Sequence, residues 1–190
     1  MPSNAMDRSS DSLQKFFERF VWRHFFEDVN LQEPRLAGYV TNLLAEFART
    51  DRLYRIHNAE GRRLEQVVEM LIESHPLLDA GSFDRERAVR KHVGDYTLFM
   101  TGLFPESVAR QRVAKRLRLD AFVDYVKAGK ESYRIVSAFD QFEYRDEAPL
   151  FRELAENFEL CVMGLNLVKQ DLDELQRDYY AILKKAAGNS

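Results

Sequence analysis

The chain has 190 residues, of which 45% are hydrophobic and 31% charged, and its formal net charge is -3. These values are typical of one soluble globular domain, and the near-neutral charge excludes a strong overall attraction to nucleic acid or membrane surfaces. A single cysteine, Cys161, excludes a disulfide framework and favours a reducing compartment. No apolar run approaches the roughly 18 residues that a membrane-spanning helix needs. We therefore expect a cytoplasmic protein of bacterial type.

The first residues of the chain are polar and small, without the apolar segment of a secretory signal. The tripeptide Ser3-Asn4-Ala5 before Met6 is typical of a vector remnant. We expect a disordered leader over residues 1–10, a single helical domain over 11–185 and a disordered tail over 186–190. Glycines and prolines are sparse and separate periodic segments, which favours helices throughout.

The N-terminal half predicts three helices. The first runs from a cap at Ser10 or Ser12 to about Asp28, the second begins at Pro34, a favoured first-turn residue, and the third spans about 61–74. The first helix carries apolar side chains on more than one face, so it must be nearly enclosed or bury one side against another subunit. Its aromatic residues are Phe16, Phe17, Phe20, Trp22, Phe25 and Phe26.

Three further helices are predicted in the middle of the chain. The fourth helix begins after Ser82, Pro105 starts a short basic helix, and the sixth runs from about Asp120 to near Tyr144. A short link then leads to the last helix, so the sixth and last helices should form an antiparallel hairpin. The buried face of the fourth helix is predicted to carry Val89, Val93, Tyr96, Met100 and Leu103.

The C-terminal stretch shows an unbroken alternation of three and four residues between apolar positions, which we call the heptad seam. Its members are Phe151, Leu154, Phe158, Cys161, Leu165, Val168, Leu172, Leu175, Tyr179 and Ile182. The seam predicts one long, nearly straight helix. A second apolar stripe predicts packing on two sides in its middle, through Leu160, Met163 and Leu167. The sequence thus predicts an all-α, single-domain bundle of about six to seven helices with a long C-terminal helix.

Three of the four histidines lie three residues before an acid, namely His24 before Glu27, His57 before Glu60 and His92 before Asp95. Helical spacing puts each pair on one face, as a histidine–carboxylate dyad or a pair of metal ligands requires. Di-iron bundles, however, place a glutamate before the histidine and add further glutamates, which cannot be identified here. We therefore predict neither a metal nor a cofactor.

The segment from Gly94 to Glu106 is unusual for a helix because it contains two glycines, each destabilising by about 1 kcal/mol relative to alanine. Asp95 lies within it in an otherwise apolar run, so its carboxylate is either buried and paired, with Lys91 or an arginine, or faces a cavity. In the second case a ligand pocket would use Asp95 as the acid–base group and nearby aromatic residues to orient the ligand. That candidate pocket comprises His92, Asp95, Tyr96, Tyr125 and Tyr133.

The same segment carries a Gly-Asp…Leu-Phe…Gly…Phe-Pro-Glu pattern, followed by a helix with Asp120, Tyr125, Gly129 and Tyr133. In this pattern the chain resembles a bacterial family of all-helical proteins for which no activity is known. The resemblance is confined to the middle of the chain. It implies a coherent natural domain and transfers no catalytic role.

Two further features have a structural and a functional interpretation. Cys161 lies on the heptad seam between Phe158 and Leu165 with no histidine near it in sequence, so we predict a buried structural thiol. The basic helix lacks interleaved aromatic residues and a helix-turn-helix signature, so we do not expect nucleic-acid binding. Its cations are Arg110, Arg112, Lys115, Arg116 and Arg118.

The leading interpretation is a non-catalytic helical bundle that forms a homodimer and acts through protein contacts or by holding an apolar or small ligand. The dimer is expected through the first helix, the exposed part of the last helix, or both. One alternative is a haem-oxygenase-like or ferritin-like enzyme with a pocket around Asp95. A second is a regulator that binds a polyanion through the basic helix.

Overall fold

The computed structural model describes residues 3–48, 83–110 and 121–187. Within these ranges the chain forms seven α-helices and no strand, which confirms an all-α bundle with a long C-terminal helix. The helices are α1 (Ser3–Arg23), α2 (Pro34–Phe47), α3 (Phe83–Leu103), α4 (Pro105–Arg110), α5 (Ala121–Ala138), α6 (Ala148–Glu156) and α7 (Phe158–Ala187). The helix predicted at 61–74 lies outside the described residues.

Helix α1 begins at Ser3, earlier than the predicted cap, because residues 3–10 contain no proline or glycine to stop it. It ends in a π-helical turn, His24–Asp28, which is closed by the Val29 amide donating to the His24 carbonyl at 3.0 Å. The aromatic residues of α1 divide between two environments. Phe17 and Phe25 are buried in the core, whereas Phe16 and Trp22 are exposed.

Helices α2 and α3 begin where the sequence predicts them. All five predicted face residues of α3 are buried. From His92 to Leu103 every residue of α3 is buried, because α5 and α7 pack against α3 from one side and Phe47 of α2 contacts it from another. Helix α3 is therefore the centre of the bundle.

Helix α5 ends at Ala138, before the predicted end at Tyr144. A 3₁₀ turn, Phe142–Tyr144, follows it, and a contact with the first turns of α3 holds this turn in place. The Tyr144 hydroxyl donates to Asp84 at 2.9 Å, and the Arg87 guanidinium lies 3.9 Å from the centre of the Tyr144 ring. These two contacts form where the chain is no longer α-helical, after Ala138.

The prediction of one continuous helix along the whole heptad seam is wrong. The chain breaks at Asn157 (φ -103°, ψ 19°), which separates α6 from α7. The Asn157 side chain donates to the Glu153 carbonyl at 3.0 Å, beside the backbone N–H of the same residue at 2.9 Å. Asparagine side chains compete in this way with the helical backbone and favour a local break.

Helices α5 and α7 are antiparallel, as predicted for the hairpin. Lys130 of α5 contacts Glu159 of α7, while Val126, one turn earlier on α5, lines a hollow with Val162 and Met163, farther along α7. The second apolar stripe in the middle of the last helix is buried only in part. Leu167 packs against the core, but Leu160 and Met163 are exposed. Besides the seam, the core covers Val162 and Gly164 of α7.

Candidate functional site

The carboxylate of Asp95 joins three helices at the centre of the bundle. One oxygen, Oδ1, accepts hydrogen bonds from the Tyr39 hydroxyl at 2.6 Å and the Tyr133 hydroxyl at 2.8 Å. The other, Oδ2, accepts from Lys91 Nζ at 3.0 Å. Asp95 is 2% exposed, so the expectation of a buried carboxylate paired with Lys91 is confirmed. Tyr39 was not among the predicted residues, since no sequence signal places α2 against α3.

Aromatic rings surround the ammonium group of Lys91. Its Nζ lies 5.1 Å from the centre of the Tyr39 ring and 5.8 Å from that of Phe151. Such cation–π contacts stabilise a partly desolvated cation. They hold Lys91 at the edge of the core, where it balances the buried charge of Asp95.

Tyr133 reaches Asp95 because position 94 is a glycine. A Cβ atom at Gly94 would lie 2.5 Å from Tyr133 Cε1, closer than any real contact. Burial raises the pKa of Tyr133 well above 10, and the neighbouring negative charge of Asp95 raises it further. The hydroxyl therefore remains protonated and donates to the carboxylate.

The raised pKa of Tyr133 predicts that the protein loses stability in base. Above about pH 10 the unfolded chain releases the Tyr133 proton and the folded chain retains it, so the free energy of unfolding falls as pH rises. We expect Tyr133→Phe to flatten this decline when urea unfolding is measured from about pH 9 to pH 11. The comparison variant is Tyr144→Phe: the hydrogen bond to Asp84 also raises the pKa of Tyr144, but this tyrosine is not buried in the core, so its replacement should flatten the decline less than Tyr133→Phe does. A decline in Tyr133→Phe as steep as that of the unaltered chain would contradict the prediction.

The other predicted pocket residues, His92, Tyr96 and Tyr125, are also buried. Their rings form a row, with centres 6.3 Å apart from His92 to Tyr96 and 6.5 Å apart from Tyr96 to Tyr125. Of the five predicted residues, Tyr133 is hydrogen-bonded to Asp95, and the other three form this row of rings. Both oxygens of Asp95 already accept hydrogen bonds from protein groups, so the cluster is satisfied without a ligand. A ligand pocket at this place remains a prediction.

His24 contacts acids other than the predicted Glu27. Its Nδ1 lies 2.5 Å from Asp28 Oδ2, and its Nε2 lies 2.8 Å from Asp171 Oδ2 on α7. Arg23 also pairs with Asp171. The π-helical turn changes which side chains align on this face, and this moves the contact from Glu27 to Asp28. No group of three or more potential ligands in the described part of the chain could hold a metal ion. His57 and His75 lie outside it.

Cys161 is fully buried, and burial raises the pKa of its thiol well above the ordinary value. A protonated, inaccessible thiol is a poor nucleophile, which supports the predicted structural role. Of the basic helix, the structure describes Pro105–Arg110, and of Arg110 only the backbone. The side chain of Arg110, and the residues Arg112, Lys115, Arg116 and Arg118, lie outside the described residues.

None of the helices that the structure describes is both long and apolar enough to cross a membrane. No protein-family model, curated protein or solved structure matches the chain. The resemblance of the segment from Gly94 to Tyr133 to a bacterial family of helical proteins therefore remains a prediction. Its glycines and its aspartate have structural roles in this protein, in close helix contacts and in the Asp95 cluster.

Proposed function

We propose that the protein is a non-catalytic helical bundle that acts through protein contacts and forms a homodimer. The observation that carries the proposal is the change from buried to exposed residues along the heptad seam of α7. Val168 on this seam is fully buried, but Leu175, Tyr179 and Ile182 are 47%, 62% and 64% exposed. We call these last three residues the α7 stripe.

The α7 stripe continues the face of α7 that packs against the core. Its spacing is that of a helix packed lengthwise on another helix, yet the side chains point to solvent. Apolar surface of this kind is typical of an interaction site, and its burial is worth about 25 cal/mol per Å². A partner helix on the stripe would complete the packing that the core provides nearer the start of α7.

Helix α1 can extend this surface. The π-helical turn after α1 packs on α7, because Phe25 contacts Gly164 and His24 contacts Asp171. Arg23, the last residue of α1, also pairs with Asp171, so α1 ends beside the part of α7 that precedes the stripe. Phe16, an exposed aromatic residue of α1, supports an interface that uses both helices.

The charge pattern of α7 favours a second copy of the chain as the partner. Acidic residues flank the start of the stripe, and Lys184 and Lys185 follow its end in the sequence. Two α7 helices paired in antiparallel orientation would set the acidic segment of one copy beside the lysines of the other. A two-fold axis would make both contacts at once. The acidic residues are Asp171, Asp173, Glu174 and Asp178.

Multi-angle light scattering over the micromolar range tests the proposal. We expect the mass of a dimer for the unaltered chain and of a monomer for Leu175→Glu and Ile182→Glu, because each change places a charge in the interface. Arg177→Gln is the matched control, since it makes the same one-unit change of charge on the opposite side of α7 and should remain dimeric. Circular dichroism of each variant checks that the bundle is intact. A monomer of the unaltered chain at high micromolar concentration would refute the proposal.

A further inference from the structure

A surface groove lies between α5 and α7, on a different face from the α7 stripe. It has a volume of about 620 Å³ and is bounded by α5 from Val123 to Arg134 and by Glu159 of α7. A second hollow of about 340 Å³ shares Val126 and Glu159 with it and extends along α7 to Asn166. We refer to both together as the α5–α7 groove.

The two ends of the α5–α7 groove differ in chemistry. One end is apolar, with Val123 and Val126 of α5 facing Val162 and Met163 of α7. The other end is charged, with side chains from both helices. They are Lys130, Glu131, Arg134 and Glu159, and Lys127 lies between the two ends. An apolar end joined to a polar end matches a molecule with a tail and a head.

Together with Lys127, the charged end holds three cations and two carboxylates, a formal net charge of +1, and its cations already stabilise carboxylates. Arg134 Nη1 lies 3.9 Å from Glu131 Oε2. Lys130 Nζ donates to Glu159 Oε1 at 2.6 Å. Desolvation opposes ionisation of Glu159, but the hydrogen bonds from Lys130 and the backbone, with the charges of Lys130 and Arg134, outweigh it and lower the pKa of Glu159. A second carboxylate here would meet Lys127 and Arg134 beside this pair.

The size of the groove favours a small ligand over a protein partner. Small-molecule sites have volumes of about 300–1,000 Å³, a range that includes the α5–α7 groove. A stable protein interface needs about 20–30 residues on each side, far more than line it. Exposed Met163 suits a flexible apolar chain, because its thioether side chain adapts to the shape of the ligand.

We propose that the α5–α7 groove binds a single-chain amphiphile with an anionic head group, such as a fatty acid. The head lies among Lys127, Lys130 and Arg134, and the alkyl chain lies on Val123, Val126 and Met163. This site is independent of self-association through the α7 stripe.

Calorimetric titration of the full chain with dodecanoate, below its micelle concentration, tests the proposal. We expect one saturable site per chain, binding of dodecylammonium weaker by about tenfold or more because its head is cationic, and no binding of acetate, which lacks the chain. Lys127→Glu and Arg134→Glu should each weaken dodecanoate binding by about tenfold, and Met163→Glu should weaken it by removing apolar contact.

Two control variants assign the binding to the groove. Arg152→Glu makes the same charge reversal at an exposed position of α6, and Ile182→Glu alters the α7 stripe. Both variants should bind dodecanoate like the unaltered chain. Circular dichroism confirms that each variant folds. The absence of saturable binding, equal affinity for dodecylammonium, or loss of binding in Ile182→Glu with the groove variants unaffected would each overturn the proposal.

Discussion

Asp95→Ala should lower the free energy of unfolding by about 3–5 kcal/mol, because it removes one partner of a buried ion pair. The change leaves the hydroxyls of Tyr39 and Tyr133 and the ammonium of Lys91 without their shared acceptor, and the Tyr133 hydroxyl is fully buried. Urea unfolding followed by circular dichroism near neutral pH measures the loss.

Three comparisons separate this effect from a general sensitivity of the helices. Asp178→Ala makes the same change on an exposed position and should alter stability by less than about 0.5 kcal/mol. Asp95→Asn keeps one acceptor oxygen for the tyrosines, so its loss of stability should fall between those of Asp178→Ala and Asp95→Ala. Tyr39→Phe removes one hydrogen bond to a charged group and should lose about 1.5–3 kcal/mol, a range that remains measurable if Asp95→Ala fails to fold. A loss below about 1 kcal/mol in Asp95→Ala would contradict the role of Asp95 as the polar centre of the core.

Alanine at Gly129 should destabilise the protein by about 1–3 kcal/mol, although alanine is the better helix former. A Cβ atom there would lie 2.4 Å from Phe158 Cζ and 2.5 Å from Thr97 Oγ1. Both neighbours are buried, and the Thr97 hydroxyl is held by a hydrogen bond to the Val93 carbonyl at 2.7 Å. Neither can move away without disturbing the contact of α5 with α3 and α7.

Gly38 provides the matched control, since a Cβ atom at this helical position would meet nothing within 4 Å. Gly38→Ala should therefore stabilise the protein by about 1 kcal/mol, the ordinary difference between the two residues in a helix. The two substitutions thus have opposite signs, which thermal or urea unfolding resolves. Adding Phe158→Leu to Gly129→Ala should restore part of the loss, because it removes the nearest ring atom; full additivity of the two changes would exclude the predicted clash.

The periodic pattern of apolar residues predicted most of the helices but not all of their ends. Pro34 and the break after Leu103 were readable because proline restricts the backbone wherever it occurs. The break at Asn157 was not, since an asparagine within an apolar repeat is compatible with a continuous helix until its side chain finds a backbone carbonyl. The end of α5 likewise depends on contacts of Tyr144 with Asp84 and Arg87, which lie far away in the sequence.

The candidate site likewise contains residues that the sequence predicted and residues that it could not predict. Asp95 was identifiable because a carboxylate in an apolar helical run must find partners, and Lys91 was identifiable because it lies one turn away on the same helix. Tyr39 could not be inferred, because its contact with Asp95 depends on how α2 packs against α3. The exposed α7 stripe was expected as surplus apolar surface, whereas the α5–α7 groove was not foreseen, since it is formed by side chains of two helices that are not adjacent in sequence.

The sequence by itself determined the helical class, the buried face of α3 and the requirement that Asp95 be paired, because these depend on local periodicity and on the free energy of burying a charge. The tertiary structure alone decided which tyrosines meet Asp95, where the seam of α7 leaves the core, and which glycines permit close helix contacts. Those outcomes depend on the packing of residues distant in sequence, in which a single Cβ atom at Gly94 or Gly129 would force neighbouring side chains to move.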